Sequence, residues 1–210
     1  MLTLYTTLLS ANGRKVVAAS HHLGLAPEIR SVNVYRGEGR DPAYLAINPA
    51  GKIPTLVDDD VTLTESNAIL QYLAEAYGEC RLYSRDPVER AVIASWLFWE
   101  SAHWQPAMLP VLSPFVGHRL RPDLVPAPAA APDWKDAQLH PLLVRLDAHC
   151  RGDAFLCGAT PTLADFSVAG MVTYFRSADF PFADFPDLSA WYARIEQLPA
   201  WRATAVETWG

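Results

Sequence analysis

A proline stands at the entrance to an apolar run that otherwise reads as sheet. Pro54 directly precedes Thr55-Leu56-Val57, Asp58-Asp59-Asp60 supplies a turn, and Val61-Thr62-Leu63 is a second run of the same kind. The pattern predicts a hairpin. A proline has no N–H, so it fits at the first residue of a strand or on an edge, and an Ile-Pro bond has only a modest preference for trans. Two readings follow. Pro54 is an ordinary edge-strand proline, or the Ile53-Pro54 bond is cis and turns the N–H and C=O of Ile53 outward, free to pair with an extended ligand.

The segment after the hairpin supplies charge. Glu65-Ser66-Asn67-Ala68 opens a stretch with Ile69, Leu70, Leu73, Ala76 and Tyr77 on one helical face, and Gly78 stops it. Glu65 and Ser66 therefore lie at a helix N-terminus, where unpaired N–H groups and the dipole favour a carboxylate while the side chain of Glu65 can receive an amine. One site offers both charges to a zwitterionic amino-acid head group. The plainer alternative is Thr64 or Ser66 as a simple N-cap, with Glu65 favouring the dipole.

Taken together, Ile53-Pro54 and Glu65-Ser66 resemble the glutathione-binding half of a glutathione S-transferase, and the likeness extends over nearly the whole chain. It implies that Ile53, before a cis Pro54, pairs by its backbone with the cysteinyl part of glutathione, and that Glu65 and Ser66 hold the γ-glutamyl end. Element order agrees. Residues 2–5 read as a strand, Val16 to Leu23 as a helix closed by Gly24, residues 29–34 as a strand and 43–47 as a short helical piece, before the hairpin and its helix. This βαβαββα order gives a mixed four-stranded sheet over residues 1–79, the α+β thioredoxin-like domain that the resemblance implies.

Chemistry is expected in the turn between the first strand and first helix. In Leu9-Ser10-Ala11-Asn12-Gly13-Arg14-Lys15 the run resembles serine-type transferases, which implies that Ser10 donates its hydroxyl to the glutathione sulfur. A free thiol of pKa about 8.5 is only a few per cent ionised at neutral pH, and lowering that pKa by about two units takes roughly 2.7 kcal/mol. A hydrogen bond to a charged group supplies about 1.5–3 kcal/mol and a helix N-terminus about 0.3–1 more, so neither a metal nor a base is required. Ser10 as a plain helix cap is the alternative. Asn12-Gly13 resembles relatives with disulfide-reductase activity that hold the sulfur with Asn or Thr, which keeps Asn12, Thr6 and Thr7 as candidates; Tyr5 reads as a packing residue. Arg40 falls where relatives carry a Lys or His reaching the glycine carboxylate, Gly39 stands where some place a further His, and Lys52 can add a charge to the same carboxylate or stay solvated.

Composition bounds the rest. The chain has 210 residues, 50% of them hydrophobic, and a net charge of −6 with no basic run, which argues against nucleic acid or an anionic membrane as partner. No apolar segment is long enough to span a bilayer and Met1-Leu2-Thr3-Leu4-Tyr5 lacks the look of a signal peptide, so a cytoplasmic protein is expected. Cys80, Cys150 and Cys157 form no C-x-x-C pair and indicate neither a disulfide framework nor a metal site.

Residues 80–86 read as a linker, because Asp86-Pro87-Val88-Glu89 is a helix start, and 87–210 as an all-helical domain. The helix from Pro87 carries Trp96, Trp99, Glu100, His103 and Trp104 and then meets Pro106, Pro110 and Pro114, so it is expected to bend or break after Trp104. The resemblance implies that this helix faces the cleft and joins a homodimer interface, with His103 and Trp104 walling a pocket for an apolar electrophile; a simple aromatic core stripe is the alternative. The Pro- and Ala-rich stretch 121–132 reads as an exposed loop. Leu139 to Leu146 is a helix, Thr162 and Asp165 have capping-box spacing, and Leu188, Trp191, Tyr192, Ile195 and Leu198 make another helix before Pro199. The expected activity is conjugation of the glutathione thiolate to a small hydrophobic electrophile. A glutathione-dependent disulfide reductase or peroxidase, and a non-catalytic binding protein on the same scaffold, are the alternatives.

Overall fold

Strand β1 (Leu2–Thr6) organises the first layer: it pairs in parallel with β2 (Glu28–Ser31) and antiparallel with β3 (Thr55–Asp58), and β3 carries β4 (Val61–Leu63) as an antiparallel edge. The computed structural model from which these elements are taken describes residues 1–79, 82–120 and 122–205, so Cys80 and the last residues of the tail lie outside it. A parallel β1–β2 pair needs a crossover, and α1 (Ala11–His22) provides it, burying Val16, Val17, Ala18 and Ala19. Helix α3 (Ser66–Tyr77) packs on α1 with Ile69, Leu70 and Leu73 fully buried. Between β2 and β3 run two 3₁₀ turns, Val34–Arg36 and Glu38–Arg40, and the short α2 (Pro42–Leu45).

Strand β2 ends three residues earlier than its sequence pattern suggests. Asn33 caps the first 3₁₀ turn by accepting from the Arg36 amide at 3.2 Å, while its own amide is taken by Glu38 Oε2 at 2.6 Å. Side-chain bonds to the backbone thus outcompete the ladder there.

The second layer is helical. Helix α4 (Pro87–Trp99) starts on Asp86, whose Oδ1 accepts from the Val88 and Glu89 amides at 2.9 Å each. Of the bend or break expected after Trp104, the break does not occur: α4 runs through a π turn, Glu100–Trp104, directly into α5 (Gln105–Leu120). Two physical reasons account for this. The Gln105 amide donates to the Glu100 carbonyl, a shift of one residue, and in that register the bond that Pro106 cannot make falls on the carbonyl of exposed Ser101. Pro106, Pro110 and Pro114 are also spaced by four and all exposed, so the carbonyls they leave unmatched face water.

Helices α6 (His140–Cys150), α7 (Leu163–Val172), α8 (Pro186–Gln197) and α9 (Pro199–Arg202) complete the layer. The α7 capping box forms and does more than cap: Asp165 Oδ2 accepts from the Thr162 amide at 2.8 Å, and Oδ1 accepts from the Leu156 amide at 2.8 Å and Trp191 Nε1 at 2.9 Å. Helix α7 packs closely on α1 because Gly170 sits over it; a β-carbon there would lie 3.1 Å from the Ala11 carbonyl oxygen. The fold is thus a thioredoxin-like domain followed by a helical domain. Among the described residues no helix is long and apolar enough to cross a membrane.

Candidate active site

The turn before β3 is held from one side. Tyr44 donates its hydroxyl to the Lys52 carbonyl, and Asn48 Nδ2 donates to the same carbonyl and to Thr55 Oγ1, both at 2.9 Å. Next to it Gly39 and Gly51 meet backbone to backbone; a β-carbon on Gly39 would lie 2.4 Å from the Gly51 carbonyl oxygen. This is why no side chain stands at position 39. The Ile53-Pro54 peptide is cis, and Ile53 lies before the first ladder pair, Tyr5 with Thr55.

Across from this turn, Glu65 joins β4 to α3 with φ 64° and ψ 109°, a backbone conformation that a non-glycine residue adopts only when its surroundings impose it. Ser66 is buried at the first position of α3 and donates to Asn12 Oδ1 at 3.3 Å. Asn67 follows, donating to the Leu97 carbonyl and to Glu100 Oε2 at 2.9 Å each and accepting from Ser167 Oγ at 2.8 Å. Glu100 also takes Lys15 Nζ at 3.1 Å, an ion pair with both side chains buried. Burial pulls the Lys15 ammonium pKa down, against the pull of Glu100. The other Glu100 oxygen, Oε1, is buried without a protein partner among the described residues.

These residues enclose a cavity of about 370 Å³, lined among others by Asn12, Lys52, Ile53, Glu65, Ser66 and Glu100. A second, more apolar cavity of about 190 Å³ lies beside it, between the start of α1 and helix α5, with Ser10, Tyr35, Leu112, Val116, Met171 and Tyr174 in its wall. Asn12 and Gln105 line both. The polar cavity and the apolar cavity therefore meet at the first turn of α1.

Ser10 is the N-cap of that turn: its Oγ accepts from the Gly13 amide at 3.2 Å, which leaves its hydroxyl proton free to donate. Only glycine fits at position 13, where a β-carbon would lie 2.1 Å from Thr6 Oγ1 and 2.6 Å from the Thr7 carbonyl oxygen. The cap and the chemistry expected of Ser10 thus use different parts of one hydroxyl. Thr6 is fully buried, and Tyr5 bonds Arg30 outside both cavities.

Three expected residues are not brought together here. Trp104 is fully buried, donates Nε1 to the Val168 carbonyl at 3.3 Å and stacks on Trp99, so it belongs to the core and lines neither cavity. His103 is exposed and lines neither cavity, and Arg40 points from an exposed 3₁₀ turn and also lines neither.

Comparison with known proteins decides what frame these cavities belong to. A model of the glutathione S-transferase N-terminal domain matches residues 4–81 and one of the C-terminal domain matches residues 127–194. The chain is similar to glutathione S-transferase 3 of Zea mays, 35% identical with 97% of this chain and 92% of the relative covered. It is similar as well to glutathione S-transferase F10 of Arabidopsis thaliana, 30% identical over 99% of this chain and 97% of the relative. The chain belongs to the glutathione S-transferase family. Among solved structures it resembles glutathione transferase F7 of Populus trichocarpa, with a TM-score of 0.84, 29% identity and 98% of each chain covered. It resembles a delta-class glutathione transferase of Nilaparvata lugens equally in shape, with a TM-score of 0.84, 26% identity and 97% and 92% of the two chains covered.

As a glutathione S-transferase the chain is an enzyme, and several residues of its cleft escape a sequence reading. Asn48 and Asn67 are polar residues in turn and helix-start positions, where their sequence context predicts nothing beyond local structure. Leu112 and Val116 repeat at helical spacing, but the intervening Pro114 hides the helix that carries them. Tyr35 sits in a three-residue 3₁₀ turn and Tyr174 in the turn after α7, both too short to show a period. Among the described residues no group of three His, Cys, Asp or Glu side chains is placed to hold a metal ion.

Proposed function

We propose that this glutathione S-transferase binds glutathione in the 370 Å³ cavity and joins its sulfur to a small apolar electrophile in the 190 Å³ cavity. The observation that carries the reading is that the two cavities share Asn12, with Ser10 two residues away in the apolar wall. In this reading Glu65 and Ser66 take the γ-glutamyl head group, and the orphan oxygen of Glu100 gives its ammonium a second acceptor. The Ile53 backbone pairs with the cysteinyl part, and Lys52 meets the glycine carboxylate, which Arg40 approaches from outside.

The Ser10 hydroxyl and the N-terminus of α1 stabilise the thiolate. The sulfur lone pair forms a C–S bond as the bond to the leaving group breaks, the leaving group departs with the electron pair, and the thiol proton has already gone to solvent. Depressing the thiol pKa by about two units takes roughly 2.7 kcal/mol, within reach of one charge-assisted hydrogen bond and a helix end.

The shared position of Asn12 favours a second reading, a glutathione-dependent disulfide reductase or peroxidase in which Asn12 holds the sulfur. Ultraviolet thiolate absorbance, followed across a pH series with glutathione bound to wild type, Ser10→Ala and Asn12→Ala, separates the two. In the transferase reading the bound thiol ionises well below its free pKa in wild type, and that depression is lost in Ser10→Ala but largely kept in Asn12→Ala. Loss confined to Asn12→Ala selects the second reading. A wild type that binds no glutathione leaves a non-catalytic scaffold.

The reading includes a homodimer working in the cytoplasm. Val88 and Val92 of α4 are 70% and 46% exposed, an apolar strip that a second copy would cover. Cys150 and Cys157 are free thiols, as a reducing compartment would keep them.

A further inference from the structure

Tyr174 follows α7 in the second domain, yet its hydroxyl reaches the turn that presents Ser10. It donates to the Leu9 carbonyl at 2.5 Å and accepts from the Ala11 amide at 3.1 Å, one bond on each side of Ser10. The phenol is buried, and it also interacts with the hydroxyl of Tyr35. Its neighbour Thr173 is gripped from the same helix end, since Arg14 Nη1 donates to Thr173 Oγ1 at 3.1 Å. The rest of the turn is held within the first domain: the Ser10 amide donates to the Thr7 carbonyl at 3.0 Å, and its carbonyl accepts from Arg14 at 2.7 Å.

The consequence concerns which amides of α1 remain for a ligand. Of the first three, Ala11 is taken by Tyr174 and Gly13 by Ser10 Oγ. Asn12 has no protein partner for its amide among the described residues, and with Gln105 it lines both cavities. A helix N-terminus with one directed donor beside one free hydroxyl is a more selective anion site than three loosely oriented amides.

We propose that Tyr174 is a positioning residue for the thiolate: by bridging Leu9 and Ala11 it fixes the Ser10 hydroxyl and the Asn12 amide on a single point between the two cavities. The inference rests on the glutathione reading above. Tyr174 itself does not touch the sulfur; its hydroxyl is used up on the backbone and Tyr35. Burial keeps its phenol protonated far above the usual tyrosine range, so the bridge is present at every working pH.

The test is Tyr174→Phe, which removes one oxygen, read by thiolate absorbance of bound glutathione against pH. The expected result is a midpoint raised by about one unit, a tenfold loss of thiolate below it, with glutathione affinity within about twofold of wild type at a pH below both midpoints, where the thiol is protonated. Amide hydrogen exchange should lose protection at Ser10 and Ala11 while α6 and α8 keep theirs. A folded Tyr174→Phe protein with the wild-type midpoint overturns the proposal and leaves the glutathione reading standing. A wild type whose bound thiol shows no depressed midpoint overturns both. Should Tyr174→Phe not fold, a fluorinated tyrosine incorporated at position 174 keeps the shape while making the hydroxyl a weaker acceptor from Ala11 and a stronger donor to Leu9. A midpoint that moves in either direction then supports the bridge, and an unmoved midpoint overturns it.

Discussion

Glu65 is held with φ 64° in a chain whose other positive-φ residues at or beside regular elements include Asp59, in the turn between β3 and β4. A conformation of this kind costs of the order of 1–3 kcal/mol in a non-glycine residue and persists only where neighbours over-determine it. The neighbours here are β4, which ends at Leu63, and Ser66, anchored on Asn12. Replacing Glu65 by glycine removes the steric cost and the carboxylate together. Glu65→Gly is expected to raise the urea midpoint by an amount equivalent to about 1 kcal/mol while glutathione affinity in calorimetric titration falls more than tenfold. A variant that is both less stable and unchanged in affinity would contradict the role given to this residue. The Glu65-Ser66 pair is legible from sequence as a helix start, but its backbone geometry is not, because φ at a non-glycine position is imposed by the elements on either side.

Two elements from different domains converge on the ion pair of Lys15 in α1 and Glu100 in the π turn, with Asn67 of α3 as a third partner. Taking both charges out of water costs several kcal/mol, which their attraction offsets only while both are present. Lys15→Met leaves a buried, uncompensated carboxylate. The expected loss is about 3–5 kcal/mol in urea unfolding, most of it recovered when Glu100→Gln is added to the same chain. No recovery in the double variant would mean that packing, not charge, sets the cost. Periodicity identifies Lys15 only as a residue of an amphipathic helix. The π turn was hidden by the three prolines that follow it, and without that turn the placing of Glu100 and of Trp104 could not be read.

In the whole molecule, the cleft exists because the helical domain covers the start of α1: α7 packs on α1 across Gly170, and α5 roofs the apolar cavity. The outer face of α4 is left with Val88 and Val92 exposed. Placing a charge there tests the homodimer: Val92→Glu should shift the sedimentation coefficient from that of a dimer toward that of a monomer, and a chain that sediments as a monomer before substitution would refute the pairing. The sequence by itself determined the hairpin after Pro54, the helix starts at Ser66, Asp86 and Thr162, and the order βαβαββα followed by helices. Each of these is written in local signals, a proline, a cap or a period of apolar residues, whose physics acts over a few residues. Tertiary structure alone decided that Trp104 is core, that Arg40 and His103 stand outside both cavities, and that Tyr174 bridges Leu9 and Ala11, on either side of Ser10, from 165 and 163 residues away. Contacts between residues far apart in the chain depend on how helices pack and rotate, and no local pattern of residues encodes that rotation.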